Sequence, residues 1–256
     1  MNSSFAEGQQ FQNEWEEYWH RNSNLALAGE DASSMWDVDV ERAAAKDYAR
    51  FKPFLDPNLP LLDLGCGNGM QTRRLADEHR QVIGADVSAS VIETAKREYA
   101  TPNLEYRVLD VFDADAISSL RSELGDLNVY IRTLLHLIQP DSRPQFADAI
   151  ADLLGDEGTL YLSELGDGAP QYFQDWIQRN GMPVYLQRVI ETGIRPGSVS
   201  RDEILEMFPP ERFEHILDGE VVGESVPRAV VGPQADAATE PWAPPCYFLI
   251  LRPRKK

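Results

Sequence analysis

The amino-acid sequence predicts the α/β fold class, in the form of a doubly wound sheet of about seven strands that are mostly parallel. Short apolar runs alternate with amphipathic stretches along the chain, and no internal repeat is present. One of these runs, LLDL at residues 61–64, leads directly into the glycine-rich stretch GCGNG at residues 65–69. A chain of 256 residues with 43% hydrophobic residues can bury one large core, or a core and a small cap, so we expect one main domain.

Two helical stretches are predicted before the first strand. One face of the first stretch carries aromatic side chains, and one face of the second carries apolar ones. The two sets are Phe11, Trp15, Tyr18 and Trp19, and Ala44, Tyr48, Phe51 and Leu55. Both faces could pack on the sheet, but the aromatic face could equally form a lid over an apolar substrate, because lids are built from mobile flanking elements. We therefore expect a helical cap or lid at residues 1–57 and a main domain at residues 58–256, with an insertion near residues 166–199.

Five strands with intervening helices are predicted after the cap. The strands are expected at residues 61–64, 81–86, 104–110, 127–131 and 159–164. The helix after the fourth strand is expected to begin near Asp141 or Ser142, with Pro144 in its first turn. A later helix is expected to begin at Ser200, because Glu203 stands at capping-box spacing from it. The last predicted segments are two closing strands and, between them, an irregular loop rich in proline, alanine and glycine, at residues 213–217, 246–252 and 223–245.

The charge balance and the cysteine count limit the possible partners. Asp and Glu outnumber Lys and Arg by 42 to 24, and the net charge of −18 repels a phosphate backbone, so nucleic acid is not expected as a substrate. No apolar run approaches the ~18 residues that a membrane span needs, and no N-terminal leader is evident. Two cysteines, Cys66 and Cys246, are too few for a disulfide scaffold and are typical of a reducing compartment. We therefore expect a soluble cytoplasmic protein without a nucleic-acid or membrane partner.

The glycine-rich stretch predicts a ligand site at the end of the first strand. Gly65, Gly67 and Gly69 let the backbone turn sharply and approach a ligand, and the next helix directs its free N–H groups there. The third glycine stands one position too early for the dinucleotide fingerprint G-x-G-x-x-G, which disfavours a nicotinamide-dependent oxidoreductase. Asp63 lies within the apolar run, where it suits the ammonium group of a ligand and not a pyrophosphate.

Two further aspartates end the second and third predicted strands. Asp86 follows Gly65 by about 20 residues, a position from which a carboxylate can accept hydrogen bonds from both hydroxyls of a ribose. Asp110 could accept a hydrogen bond from the exocyclic amine of adenine, while the N–H of Val111 reads the ring edge. Each feature also has a structural explanation: the glycines could shape a turn, Asp86 could cap the helix that starts near Ser88, and Asp110 could be a turn residue.

The three segments together resemble a known family. LLDLGCGNG, VIGADVSASVIETAK and LEYRVLDVFD are similar, in order and spacing, to the first three motifs of class I S-adenosylmethionine-dependent methyltransferases, over roughly residues 59–165. The resemblance implies a Rossmann-like fold and S-adenosylmethionine as cofactor, with S-adenosylhomocysteine as product. It also implies that the methionine part, the ribose and the adenine are held in turn by residues of the three motifs. These residues are Asp63, Gly65, Cys66, Gly67, Asn68 and Gly69 for the methionine part, Asp86 for the ribose, and Asp110 and Val111 for the adenine, with Val87 as a further cofactor-binding residue.

A candidate general base follows the fourth predicted strand. Methyl transfer from a sulfonium is an in-line displacement, so the enzyme has to hold the nucleophile near the methyl group and remove its proton. The segment LNVYIRTLLHLIQPD resembles the corresponding part of small-molecule O-methyltransferases, which implies that His136 is the base and that Arg132 lies beside the cofactor. The alternative for His136, which is followed by Leu-Ile where the family has Asp-Trp, is a packing role or a position beside the cofactor. Glu164, at the end of the fifth strand, could orient the imidazole, bind substrate or lie in solvent.

The expected function is therefore methyl transfer from S-adenosylmethionine to a small, largely apolar metabolite, with oxygen as the expected accepting atom. The alternatives are transfer to nitrogen, sulfur or a protein side chain, and a cofactor-binding protein that transfers no methyl group. No metal site is expected, because the four histidines show no paired spacing. The contacts that select the acceptor are expected outside the shared motifs, at residues 1–57, 166–199 and 223–245. The motifs specify neither the acceptor nor the oligomeric state.

Overall fold

Seven strands form one mixed sheet in the computed structural model, which describes residues 3–32, 34, 40, 43–195, 197–223, 230–231 and 242–255. In chain order the described strands are β1 (Leu61–Leu64), β2 (Val82–Asp86), β3 (Leu104–Val108), β4 (Asn128–Arg132), β5 (Leu160–Leu165), β6 (Met182–Pro183), β7 (Phe213–Val222), β8 (Val230–Val231) and β9 (Pro245–Pro253). The sheet has the order β3-β2-β1-β4-β5-β9-β7, and the two-residue strands β6 and β8 form a separate antiparallel pair.

The sheet is parallel from β3 to β5, and β9 lies antiparallel between β5 and β7. From β1 the chain builds outwards through β2 and β3, then crosses to β4 and β5 on the other side. Sheets with such a reversal bind ligands in the crevice at the C-terminal ends of the strands beside it. The prediction of a doubly wound, mostly parallel sheet of seven strands is confirmed.

Helices cover both faces of the sheet. They are α1 (Ser3–Leu27), α2 (Ala44–Phe51), α3 (Met70–Ala76), α4 (Ala89–Tyr99), α5 (Ala114–Leu124), α6 (Arg143–Leu154), α7 (Ala169–Asn180), α8 (Val184–Glu191) and α9 (Arg201–Met207). Alternate strand residues face opposite layers: Leu61 and Tyr130 pack with α2, α3 and α4, whereas Leu62 and Ile131 pack with α5, α6 and α9. Because both faces are covered, the central strands are continuous apolar runs, which made them predictable. None of the described helices has the length and apolar character needed to cross a membrane.

Of the two predicted helix starts, one has the predicted capping hydrogen bonds and the other does not. Ser200 and Glu203 form the predicted capping box at the start of α9. Pro144 lies in the first turn of α6 as expected. Ser142 immediately precedes the first residue of the helix, but the side chain of Ser142 makes no capping hydrogen bond. The reason is the 3₁₀ turn at Pro140–Ser142, which keeps Ser142 in a helical conformation where a capping residue is normally extended.

The predicted irregular loop at residues 223–245 lies largely outside the described residues. At Val230–Val231 the prediction is wrong, because these two β-branched residues pair with Met182–Pro183. The closing strand β9 also begins at Pro245, inside the predicted loop, since it pairs along its whole length with β7.

Candidate functional site

A cavity of about 660 Å³ lies at the C-terminal ends of β1, β2, β3 and β4. Ten of the eleven predicted cofactor residues line it, and the remaining one is Gly69. His136 and Glu164 are not among the described residues of its wall. The sheet therefore brings the predicted cofactor residues together but separates them from the two predicted catalytic residues.

The glycine loop turns sharply at the floor of the cavity. Gly65, Gly67 and Gly69 have φ angles of 78°, 52° and 83°, which residues with a side chain rarely adopt. A Cβ atom on Gly69 would lie 2.6 Å from the Oη of Tyr106 and 2.8 Å from the Cβ of Ala95. This glycine thus serves the close packing of α3 against β3 and α4, which explains why it does not face the cavity.

Asp63 presents a buried carboxyl group to the cavity. Its Oδ2 accepts a hydrogen bond of 2.6 Å from the Oγ1 of Thr72. Burial raises the pKa of Asp63 to about 7, and the negative charge of Asp86 adds to this rise, although the hydrogen bond from Thr72 acts in the opposite direction. A cation beside this carboxyl group would stabilise its ionised form.

Asp86 lines the cavity and also makes the contact to the helix start that the sequence allows. Its Oδ2 accepts a hydrogen bond from the N–H of Gly67 at 3.1 Å, and its Oδ1 accepts one from the N–H of Ser88 at 3.0 Å. Ser88 is the N-cap of α4, so Asp86 fixes both the glycine loop and the start of that helix. Burial raises the pKa of Asp86 to about 6, against the effect of these hydrogen bonds.

Helix α1 forms a roof over the cavity. Trp15 and Trp19 line it, and a Cβ atom on Gly67 would lie 3.4 Å from the indole of Trp19. The same aromatic face, with Tyr18, packs against the apolar side chains of Leu137, Val189 and Ile194. The side chain of Phe11, the fourth residue of the predicted face, lies outside the described residues. The aromatic face of α1 is therefore both packed and in contact with the cavity.

Polar side chains fasten α1 to Asp110 and to α4. Gln12 donates from Nε2 to the Oδ2 of Asp110, whose Oδ1 accepts a hydrogen bond of 2.9 Å from the N–H of Phe112. Glu16 accepts hydrogen bonds from the Oγ of Ser88 at 2.7 Å and from the N–H of Ser90 at 3.3 Å. Gln12 and Glu16 are not among the predicted site residues. Their four-residue spacing, which puts them on one side of a helix, is the sequence signal that could have found them.

His136 and Glu164 form a buried pair behind the cavity wall. The Nδ1 of His136 lies 2.7 Å from the Oε1 of Glu164, and both side chains are fully buried. The carboxylate also accepts hydrogen bonds from the N–H groups of Leu135 at 2.6 Å and Leu165 at 2.7 Å. Burial acts to raise the pKa of Glu164, but the charge of His136 and these hydrogen bonds outweigh it and lower the pKa. The interpretation of Glu164 as a solvated strand end is wrong, because the strand end lies inside the protein.

Arg132 lines the cavity and forms an ion pair with the buried carboxylate of Asp47 on α2. Asp47 is not among the predicted site residues. The Oδ2 of Asp47 accepts hydrogen bonds from the Nη1 of Arg132 at 2.5 Å and the Oη of Tyr130 at 3.0 Å. Its Oδ1 accepts hydrogen bonds from the Oη of Tyr161 at 2.6 Å and the Nη1 of Arg50 at 3.2 Å. No motif announces this cluster, since Asp47 and Arg50 stand at the spacing of an ordinary surface ion pair on a helix.

The charges on the cavity wall are mainly negative. Among the described lining residues Arg132 is the one basic residue, and the acidic ones are Asp63, Asp86, Asp110, Asp113 and Asp115. Within the described part of the chain no three His, Cys, Asp or Glu side chains converge as ligands for a metal ion. The wall thus suits an organic cation with one anionic group.

Comparisons with known proteins agree with this geometry. Residues 61–158 match a family model described as a methyltransferase domain. The crystal structure of an S-adenosylmethionine-dependent methyltransferase from Anabaena variabilis is similar with a TM-score of 0.84 and 34% identity, over 95% of each chain. An uncharacterized methyltransferase of Schizosaccharomyces pombe is 32% identical over 142 residues, which are 48% of this chain and 51% of the relative. Thiocyanate methyltransferase 1 of Brassica oleracea is 31% identical over 113 residues, 42% of this chain and 49% of the relative. The chain spans about half the length of these two curated relatives.

Proposed function

Because the chain belongs to the class I S-adenosylmethionine-dependent methyltransferases, we propose that it transfers a methyl group from this cofactor to a small, largely apolar molecule, with oxygen as the accepting atom. The observation that carries the proposal is the cavity, which is lined beneath an aromatic helix by aspartates at or just after the ends of three neighbouring strands. Its volume of about 660 Å³ lies within the usual range for small-molecule and cofactor sites.

The cavity wall fits the charges of the cofactor. S-adenosylmethionine carries one positive charge on its sulfonium and one on its ammonium group, and a carboxylate carries its negative charge. In the proposal Asp63 and the glycine loop hold the methionine part, Asp86 accepts hydrogen bonds from the ribose, and Asp110 with the N–H of Val111 holds the adenine. The other residues proposed to contact the cofactor from the cavity wall are Cys66, Asn68, Val87 and Arg132.

His136 is the proposed general base. The bound cofactor supplies an activated methyl group, and the chain has to position the acceptor and take up its proton. The Nε2 of His136 is buried and has no hydrogen-bond partner among the described residues, while Glu164 holds Nδ1 and stabilises the protonated imidazole. Because the imidazole lies outside the cavity wall, residues 133–138 have to move when the acceptor binds. The φ of 51° at Thr133 supports such a movement, since this conformation costs a β-branched residue about 1–3 kcal/mol.

Transfer to sulfur is the second candidate, and the sealed position of His136 favours it. A thiolate or thiocyanate ion carries no proton on the attacking atom, so its methylation needs no base. One curated relative is named a thiocyanate methyltransferase, which supports a small anionic acceptor of this kind.

The decisive experiment is transfer of a labelled methyl group from S-adenosylmethionine into a fractionated cell extract, with the wild type and His136→Asn side by side. For an oxygen acceptor we expect label in a small-molecule fraction and a loss of about 100-fold or more in the variant, with unchanged binding of S-adenosylhomocysteine. His79→Asn is the matched control, because His79 is also buried and paired, but its chain neighbours do not line the cavity, whereas Leu134 and Leu137 beside His136 do.

Two other outcomes point elsewhere. Undiminished labelling by His136→Asn would support the sulfur candidate and leave His136 with a packing role. Tight cofactor binding without label in any fraction, protein included, would contradict methyl transfer and support a cofactor-binding protein.

A further inference from the structure

One buried carboxylate beside the cavity neutralises only one of two guanidinium groups. Asp47 is 4% exposed and contacts both Arg50 and Arg132. Burial and the negative charge of Asp47 raise the pKa of Tyr130 and Tyr161, so both hydroxyls stay neutral and donate hydrogen bonds. The cluster therefore carries one excess positive charge. Of its two guanidinium groups Arg132 is the more buried, so an anion in the cavity next to Arg132 would stabilise the cluster.

Arg132 keeps hydrogen-bond donors for such an anion. A guanidinium group has five N–H donors, and the hydrogen bond to Asp47 uses Nη1. Among the described residues, neither Nε nor Nη2 of Arg132 makes a hydrogen bond, and the side chain lines the cavity. Burial acts to lower the pKa of Arg132, but the charge of Asp47 outweighs it, so the group remains charged.

The acidic wall of the cavity explains why Arg132 needs an anchor. Asp63 is paired in register with Tyr130, and Arg132 stands two residues further along the same strand, so all three side chains lie on one face of the sheet. Without Asp47, the arginine would be drawn onto the nearby carboxylates of the wall, above all Asp63. Arg132 would then no longer be available to bind an anionic group of the ligand. Its charge would also neutralise the carboxylate of Asp63, which attracts the ligand's ammonium group.

We propose that Asp47 is a positioning residue, which holds Arg132 off the aspartates of the cavity and aims its remaining N–H groups at the carboxylate of the cofactor. This inference rests on the proposed function, because that carboxylate is the one anionic group of S-adenosylmethionine. The inference adds a residue of the N-terminal cap to the determinants of cofactor binding.

The test compares two ligands that differ only in the carboxylate. They are S-adenosylhomocysteine and its decarboxylated analogue S-adenosyl-3-thiopropylamine, measured by calorimetry on the full chain. We expect the wild type to prefer the carboxylate-bearing ligand by about tenfold or more, as for a charge-assisted contact. In Asp47→Asn we expect weaker binding of S-adenosylhomocysteine and a preference below about threefold, since Arg132 is misplaced.

Two tyrosine variants separate positioning from a general loss of stability. Tyr161→Phe removes one hydrogen bond to Asp47 without altering the cavity wall, so the preference should fall part of the way. Tyr48→Phe is the matched control, because Tyr48 lies on the same helix but bonds to His79 and Glu78, and the preference should stay at the wild-type value.

An unchanged preference in both Asp47→Asn and Tyr161→Phe would overturn the inference. Tighter binding of S-adenosylhomocysteine to Asp47→Asn would also overturn it, by showing that Asp47 only opposes the ligand's charge. If Asp47→Asn does not fold, Tyr161→Phe alone decides the question. A wild type that binds neither ligand would contradict the proposed function instead.

Discussion

Burial sets the behaviour of single carboxyl groups in this site. The pKa of Asp63 is raised to about 7 and that of Asp86 to about 6, both above the ordinary value for an aspartate. Between pH 4 and 7, roughly, the folded protein therefore binds more protons than the unfolded chain, and the contribution of both residues to stability falls as the pH rises. A cationic ligand reverses this preference, because it favours the ionised carboxylates.

Cofactor affinity should therefore depend on pH. We expect the affinity for S-adenosylhomocysteine to rise on the order of tenfold between about pH 5.5 and pH 7.5, as Asp63 and Asp86 lose their protons. Calorimetry in two buffers with different ionisation enthalpies measures both the affinity and the protons released on binding. Asp63→Asn should bind more weakly with a flatter pH profile, and a profile as steep as that of the wild type would contradict the assignment.

The packing at Gly69 gives a second prediction for a single residue. Gly69→Ala should lower the free energy of unfolding by about 2–4 kcal/mol, because its Cβ would overlap Tyr106 and Ala95 and its φ is positive. Gly29→Ala is the control: its φ is also positive, but nothing lies within 4 Å of the added Cβ, so only about 1 kcal/mol is expected. Urea denaturation measures both values, and equal losses would show that backbone strain alone matters at Gly69.

Contacts at several points along helix α1 hold it over the cavity. The indole of Trp19 covers the glycine loop, Gln12 holds Asp110, and Glu16 holds the start of α4. A ligand in the cavity therefore lies between the strand ends and this helix, and we infer that exchange of the cofactor requires α1 to lift. Lid motions of this kind set the rate of release in many enzymes.

Weakening the attachment of α1 should accelerate ligand exchange. For Glu16→Ala we expect dissociation of S-adenosylhomocysteine to be about tenfold faster with a smaller change in affinity, because the open state gains population. Stopped-flow fluorescence can follow this directly, since Trp15 and Trp19 line the cavity. Glu17→Ala is the control, because Glu17 pairs with Arg21 on the exposed side of the helix. Equal dissociation rates in both variants would argue against a lid.

The elements were largely predictable from sequence, whereas their long-range contacts were not. Most strands of the parallel core are apolar runs between helical patterns, while β3 alternates apolar and charged residues. Aspartates at the ends of neighbouring parallel strands must meet at one edge. The hydrogen bond from Gln12 to Asp110 joins residues 98 positions apart, and that from Arg132 to Asp47 spans 85 positions. Such contacts depend on how the N-terminal helices dock, which no local pattern encodes. The burial of His136 and Glu164 likewise depends on tertiary packing around the strand end.

The whole molecule carries a net charge of −18, and its cavity wall is acidic as well. The field around such a protein attracts cations from a distance and is screened by salt. S-adenosylmethionine has a net charge of +1, whereas S-adenosylhomocysteine is neutral overall. The substrate form of the cofactor is therefore attracted more strongly than the spent form.

This difference should appear in the association rates. Between about 10 mM and 500 mM salt we expect the association rate of S-adenosylmethionine to fall about tenfold, and that of S-adenosylhomocysteine by less than about twofold. Stopped-flow measurements with both ligands at several salt concentrations test this, each ligand being the control for the other. Parallel salt dependences would show that the overall field plays no part in cofactor capture.

The ion pair between Asp47 and Arg132 also limits which substitutions this protein can accept during evolution. Asp47 lies before residue 61, where the match to the methyltransferase domain begins, and Arg132 lies inside that match. A hybrid that joined the N-terminal helices of one relative to the sheet of another would inherit an arginine without its carboxylate, or the reverse. The two positions are therefore expected to be inherited together, so substitutions at 47 and 132 should be correlated across homologous chains.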